Sequence, residues 1–118
     1  MSRRLQRLNA LFRQELSELI RSELRDPRLA DVVSITRVDI SPDLQNANVY
    51  ASVMGDEQAK TSTMKALTAA APFLRHHLIE RITIRRTPTL HFVLDQTIEE
   101  AAHILELMKQ VPDTKSEP

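Results

Sequence analysis

Arginine is the residue type in this chain whose number and placing could do chemistry. Residues 1–30 hold seven arginines against four acids, a net of +3, and residues 75–91 hold four against one, again +3. Residues 31–74 come to −2 and residues 92–118 to −4, so a chain of formal charge zero alternates in sign along its length. A neutral protein can therefore present a basic face. Most of its cations are arginine, whose planar fork matches phosphate oxygens better than an ammonium does. The plainer alternative, for any one of them, is an arginine that only solvates a helix surface.

Other chemistries find little support. The single glycine, Gly55, excludes a Walker loop or a dinucleotide fingerprint, both of which need several glycines for close approach of backbone to phosphate. The four histidines are His76, His77, His91 and His103. Adjacent His76 and His77 would point about 100° apart on a helix, and none has a partner at metal-chelating spacing. Nothing favours a Ser-His-Asp arrangement, and Glu99 and Glu100 are explained by the dipole at a helix start. No cofactor and no metal are expected. With no Trp, one Tyr and three Phe, there are few rings on which bases could stack. The absence of cysteine excludes disulfide scaffolds and thiolate zinc sites and permits a reducing compartment. No run of eighteen apolar residues exists, and the arginine-bearing N-terminus does not have the order of a secretory signal. The expectation is a cytoplasmic protein without membrane attachment, and nothing demands more than a monomer.

The elements that must position the arginines follow from periodicity. Leu5, Leu8, Phe12, Leu16 and Leu19 form one helical stripe, with Arg3, Arg7, Arg21 and Arg25 opposite. Asp26-Pro27 ends that helix, because the residue before proline is pushed out of the α region. Residues 32–40 read as a strand whose phase slips between Val33/Ile35 and Val38/Ile40, which predicts a bulge near Thr36 or Arg37. Ser41-Pro42-Asp43-Leu44 is a turn, and residues 46–54 alternate cleanly, so the two strands read as an antiparallel pair with one buried face. Asp56 is a candidate N-cap for the helix that follows. Pro72 lacks a backbone N–H, so the helix must kink or restart at Ala70-Ala71-Pro72, and a restart would present the N–H groups of a second helix beside Arg75, His76 and His77 where a phosphate could sit. Residues 90–94 form a third strand. Thr97 and Glu100 make a capping box for a last helix with Ile98, Ala101, Ala102, Leu105 and Met108 at helical spacing. The reading is one domain over residues 1–111 and a disordered tail over 112–118.

The fold class is α+β, and the order α-β-β-α-α-β, with a C-terminal helix added, resembles a type II KH domain lacking its Gly-x-x-Gly turn. The helix-kink-helix at Ala70-Ala71-Pro72 that stands in its place resembles the ribosome-binding factor A family, which has Ala-x-Gly at this bend. Three further stretches carry the resemblance: Glu23-Leu24-Arg25-Asp26-Pro27-Arg28-Leu29; Val38-Asp39-Ile40-Ser41-Pro42-Asp43-Leu44 with Asn48-Val49-Tyr50; and Thr87-Pro88-Thr89-Leu90-His91-Phe92-Val93-Leu94-Asp95. Pro72 departs from the pattern, so proline rather than glycine must set the bend. The resemblance covers about residues 3–110. It implies a non-enzymatic factor that binds the small (30S) ribosomal subunit and 16S rRNA late in maturation and promotes rRNA processing. In that reading Arg3, Arg4, Arg7, Arg25, Arg28, Arg75, Arg81, Arg85 and Arg86 hold rRNA phosphates. The residues alone fit two other readings, a general nucleic-acid module of KH-like fold and a protein-interaction domain in which the arginines are incidental.

Overall fold

The computed structural model describes residues 2–24, 26–29 and 33–110. The order is α1 (Arg3–Glu23), β1 (Val33–Ile40), β2 (Asn46–Val53), α2 (Glu57–Arg81), β3 (Thr89–Leu94) and α3 (Thr97–Gln110). The expected tail over 112–118 and Arg25 lie outside the described residues.

Ser2 caps α1, its hydroxyl accepting the Leu5 N–H at 3.0 Å. The stripe read from the sequence is the buried one: Phe12, Leu16 and Leu19, joined by Ile20, are enclosed, and Leu5 and Leu8 are half-buried at the helix's open end. The sheet order is β1-β2-β3, with β1 antiparallel and β3 parallel to β2. The register steps from Ile35 opposite Ala51 to Arg37 opposite Tyr50, so Thr36 is the extra residue of a bulge. That one insertion lets Ile35, Val38 and Ile40 all face the core together with Ala47, Val49, Ala51 and Val53. Helices α1 and α2 cover this face, α1 over β1 and α2 over β3. The opposite face carries Ser34, Arg37, Asn46, Asn48 and His91 in the open.

The β1–β2 turn is built by Asp43, whose Oδ1 accepts from the Ser41 hydroxyl at 2.6 Å and from the Gln45 N–H at 3.1 Å. Leu44 adopts φ +60 there, a conformation that L-residues avoid, and the packing of its side chain against the core holds it. At the far end of the hairpin, Gly55 is required: its φ is +143, and a Cβ would lie 2.8 Å from that of Ala59. Asp56 then caps α2 by accepting the Ala59 N–H at 2.8 Å.

Two expectations are corrected. Pro72 does not divide α2, which runs as one helix from Glu57 to Arg81, so the described order is α-β-β-α-β-α and no helix start is presented beside Arg75. The physical reason is position. Pro72 and Thr68 are both exposed, so the Thr68 carbonyl that loses its donor can be hydrated. Beyond the proline, Leu74 and Leu78 are fully enclosed, and burying them, roughly 2 kcal/mol each, offsets the ~3 kcal/mol that an interior proline costs. Ala70 and Ala71 pack half-buried on the core. Nor does the Thr97/Glu100 capping box form. Thr97 is already helical, and Asp95 two residues earlier caps it, Oδ1 accepting the Thr97 N–H at 2.9 Å. Asp95 is doubly used, because its Oδ2 accepts the hydroxyl of bulge residue Thr36 at 2.5 Å. Those bonds, the Thr36 one foremost, pull its pKa from 3.8 to about 2.

Pro72→Ala should raise stability by about 1–3 kcal/mol in urea unfolding, since it restores one hydrogen bond in an existing helix; a loss would mean that the helix needs its proline. Asp95 has a depressed folded pKa, so its contribution is complete above 3.8 and lost as pH falls toward about 2. Urea midpoints measured across that window should therefore fall more steeply in the wild type than in Asp95→Asn.

Candidate nucleic-acid interface

The arginines singled out from the sequence divide by what they touch. Arg3, Arg4 and Arg7 stand exposed on the first two turns of α1 and make no hydrogen bond or ion pair among the described residues. The first turn of that helix has no acid, so the positive end of the helix dipole adds to theirs instead of being neutralised. Arg4 lines a groove of about 570 Å³ whose apolar wall is Leu5, Leu8, Ile40, Pro42 and Leu44. The groove lies between α1 and the β1–β2 turn, and Asn9 stitches the two together where its Oδ1 accepts the Ile40 N–H at 2.9 Å. Arg85 and Arg86 are exposed in the connection from α2 to β3. Arg86 lies near enough to lower the pKa of Asp43, chiefly held down by the Ser41 hydroxyl, on the same turn. The connection is fastened there because the Thr89 N–H donates to the Gln45 carbonyl at 2.9 Å. The β1–β2 turn thus brings together two basic segments nearly eighty residues apart in sequence.

Three other candidates are engaged within the fold. Arg28 forks onto Asp26, Nη2 to Oδ2 at 2.7 Å and Nε to both oxygens, and this bond holds the Asp26 carboxyl below its usual range. Its carbonyl accepts the Thr63 hydroxyl at 3.3 Å, which pins the α1–β1 connection to α2. Arg81 reaches Glu15 at 3.2 Å and ties the last turn of α2 to the middle of α1. Arg75 donates through Nε and Nη2 to the Thr87 carbonyl, at 3.1 and 2.7 Å, and through Nε to the Pro88 carbonyl at 3.2 Å. Thr87 and Pro88 are buried residues, so Arg75 supplies donors to carbonyls that have little access to water. No group of three or more metal-ligating side chains occurs among the described residues, and His76 instead faces Glu80 at 3.5 Å.

A model of the family described as ribosome-binding factor A matches residues 4–108. A ribosome-binding factor A from Acetivibrio thermocellus is 41% identical over 107 residues, covering 91% of this chain and 87% of its own. The chain belongs to the ribosome-binding factor A family. The solution structure of a Thermotoga maritima protein assigned to that factor superposes with a TM-score of 0.73 at 31% identity, covering 84% of this chain and 93% of that one. A homology model of Thermus thermophilus ribosome-binding factor A, fitted into a cryo-EM map of a 30S complex of that factor, gives 0.63 at 30% identity over 75% of this chain and 92% of its own. The α+β architecture is the KH-like fold of these factors.

Against the family's fold, what sequence reasoning missed is mostly internal. Lys60 is buried and bonds Glu99 at 2.5 Å, with Glu57 at 3.7 Å; the carboxylate of Glu99 raises its pKa. The signal was present, since Lys60, Thr63 and Leu67 share a helical face. Rings are also scarcer on the open sheet than composition implies, because Arg37 lies 4.2 Å over the ring of Tyr50. Phe73 is exposed on α2 and packs on His77, ring centroids 4.4 Å apart.

The role of Arg75 is open to a direct check. Arg75→Ala should lower stability by about 1–3 kcal/mol, the cost of stranding buried carbonyls, as read by urea unfolding. Arg75→Lys should recover only part of it, because an ammonium cannot fork across two acceptors.

Proposed function

We propose that this chain is a cytoplasmic assembly factor that binds the small (30S) ribosomal subunit late in its maturation, contacts 16S rRNA and promotes rRNA processing. It acts by binding and not by covalent chemistry. The observation that carries the reading is the arc of exposed arginines at the β1–β2 turn, Arg3, Arg4 and Arg7 with Arg85 and Arg86, none of which has a hydrogen bond or close ion pair among the described residues. Membership of a family named for ribosome binding, and a relative fitted into a map of a 30S complex, support it.

In this reading the exposed arginines meet phosphates and position the RNA without reading its sequence. Arg25 lies outside the described residues and is kept as a candidate from the sequence alone. Arg28, Arg75 and Arg81 act one step back, shaping the surface through the bonds described above. The β1–β2 turn fixes the spacing between the two basic segments, holding the start of α1 through Asn9 on Ile40 and the α2–β3 connection through Thr89 on Gln45. The rRNA conformer that matches this spacing is then favoured by the difference in its binding energy.

Co-sedimentation with small subunits across a salt series, with large subunits as control, tests the reading. The wild type should prefer the small subunit and weaken as salt rises, and Arg85→Ala/Arg86→Ala should flatten the log–log salt slope by about 1–2. Equal binding to both subunits, or an unchanged slope, would sink the proposal.

A further inference from the structure

Helix α3 leaves the domain at the end opposite the basic arc, where β3 finishes beside the start of α2. Its first turn is tied down by the Asp95 cap and by Glu99 on Lys60. Beyond that turn it makes no extensive contact with another helix or strand among the described residues, and residues 99–110 are all exposed. Ile104, Leu105, Leu107 and Met108 are 45–59% exposed on five consecutive residues. Ile104, Leu105 and Met108, with Ala101, share one face at three- and four-residue spacing. A 14-residue helix is marginal in water by itself, and an apolar face of this size marks a contact surface.

We infer that α3 is a second docking surface, built for a basic, partly apolar segment of protein rather than for RNA. This rests on the small-subunit reading for where the partner is found. The charge around α3 selects the occupant. Residues 56–60 and 95–110 carry Asp56, Glu57, Asp95 and the three glutamates of α3 against Lys60 and Lys109, a net of −4. Phosphates are repelled there, and anionic membranes likewise. A second copy of α3 would bring the same negative field, and two helices touching along ~21 Å fall far short of the ~800 Å² per partner that a specific dimer buries. A Lys- or Arg-rich protein chain with apolar side chains answers both features, and ribonucleoprotein particles present such chains among their phosphates. The molecule is then bivalent, RNA at the β1–β2 turn and protein at α3, and joining the two raises avidity.

The full chain carrying the photo-crosslinker p-benzoylphenylalanine in place of Ile104 is sedimented with purified small subunits, irradiated, treated with ribonuclease and analysed by mass spectrometry. The expected product is a crosslink to a basic protein of the subunit. A crosslink to rRNA or to a second copy, or none in bound material, overturns the inference. If the chain fails to sediment, the small-subunit reading falls, and the same probe mixed with proteins stripped from small subunits still decides the chemistry: a crosslink there supports the surface and its absence refutes it. As a second measure, Ile104→Ala/Leu105→Ala/Met108→Ala should weaken subunit binding about tenfold and leave affinity for protein-free 16S rRNA unchanged. An equal loss on both, or no loss on the subunit, also overturns it.

Discussion

A sheet with helices on only one side has to send most of its apolar strand residues to that side, and in the hairpin of this protein that constraint rests on Thr36. Without the extra residue, Val33 and Ile35 would face the core only by turning Val38 and Ile40 to solvent. The bulge reconciles the two halves of β1 and leaves Thr36 with a hydroxyl to place. Asp95 takes it, and through the same carboxylate starts α3. One inserted residue in the first strand therefore determines the core-facing phase of the hairpin and also helps anchor the last helix.

The same economy governs the arginines. Where a carbonyl or carboxylate lies within reach in the fold, the guanidinium is used internally: Arg75 on Thr87 and Pro88, Arg81 on Glu15, Arg28 on Asp26. Over the first turn of α1, which contains no acid, the arginines have no partner among the described residues. Arg75 and Arg81 hold the connection and the helix end that carry Arg85 and Arg86. Basic and acidic surfaces end up at opposite ends of the sheet, a division that net charge zero conceals.

Helix α2 shows how tertiary packing overrides local propensity. An interior proline costs enough to end an isolated helix, yet Leu67 before it and Leu74 and Leu78 after it are all buried in one core. Interrupting the helix would misalign those anchors, so the backbone accepts one unmade bond on its exposed side. Helix α2 therefore continues on both sides of Pro72.

The sequence by itself determined the one-faced core, the bulge, the Asp56 cap, the hairpin and the family, because each is written in local periodicity or in a contiguous motif. Leu16 and Val49 could be placed without knowing what they touch. The continuity of α2 was decided only in the tertiary structure, because it depends on a balance between a local cost and burial of residues turns away. So was the use of each arginine, since Arg75 and Arg86 look alike along the chain and differ only in which groups the fold brings beside them. The exposure of α3 belongs with these. Helical spacing shows that Leu105 and Met108 share a face, but whether anything within the chain covers that face depends on where β3 ends and which way the chain leaves it.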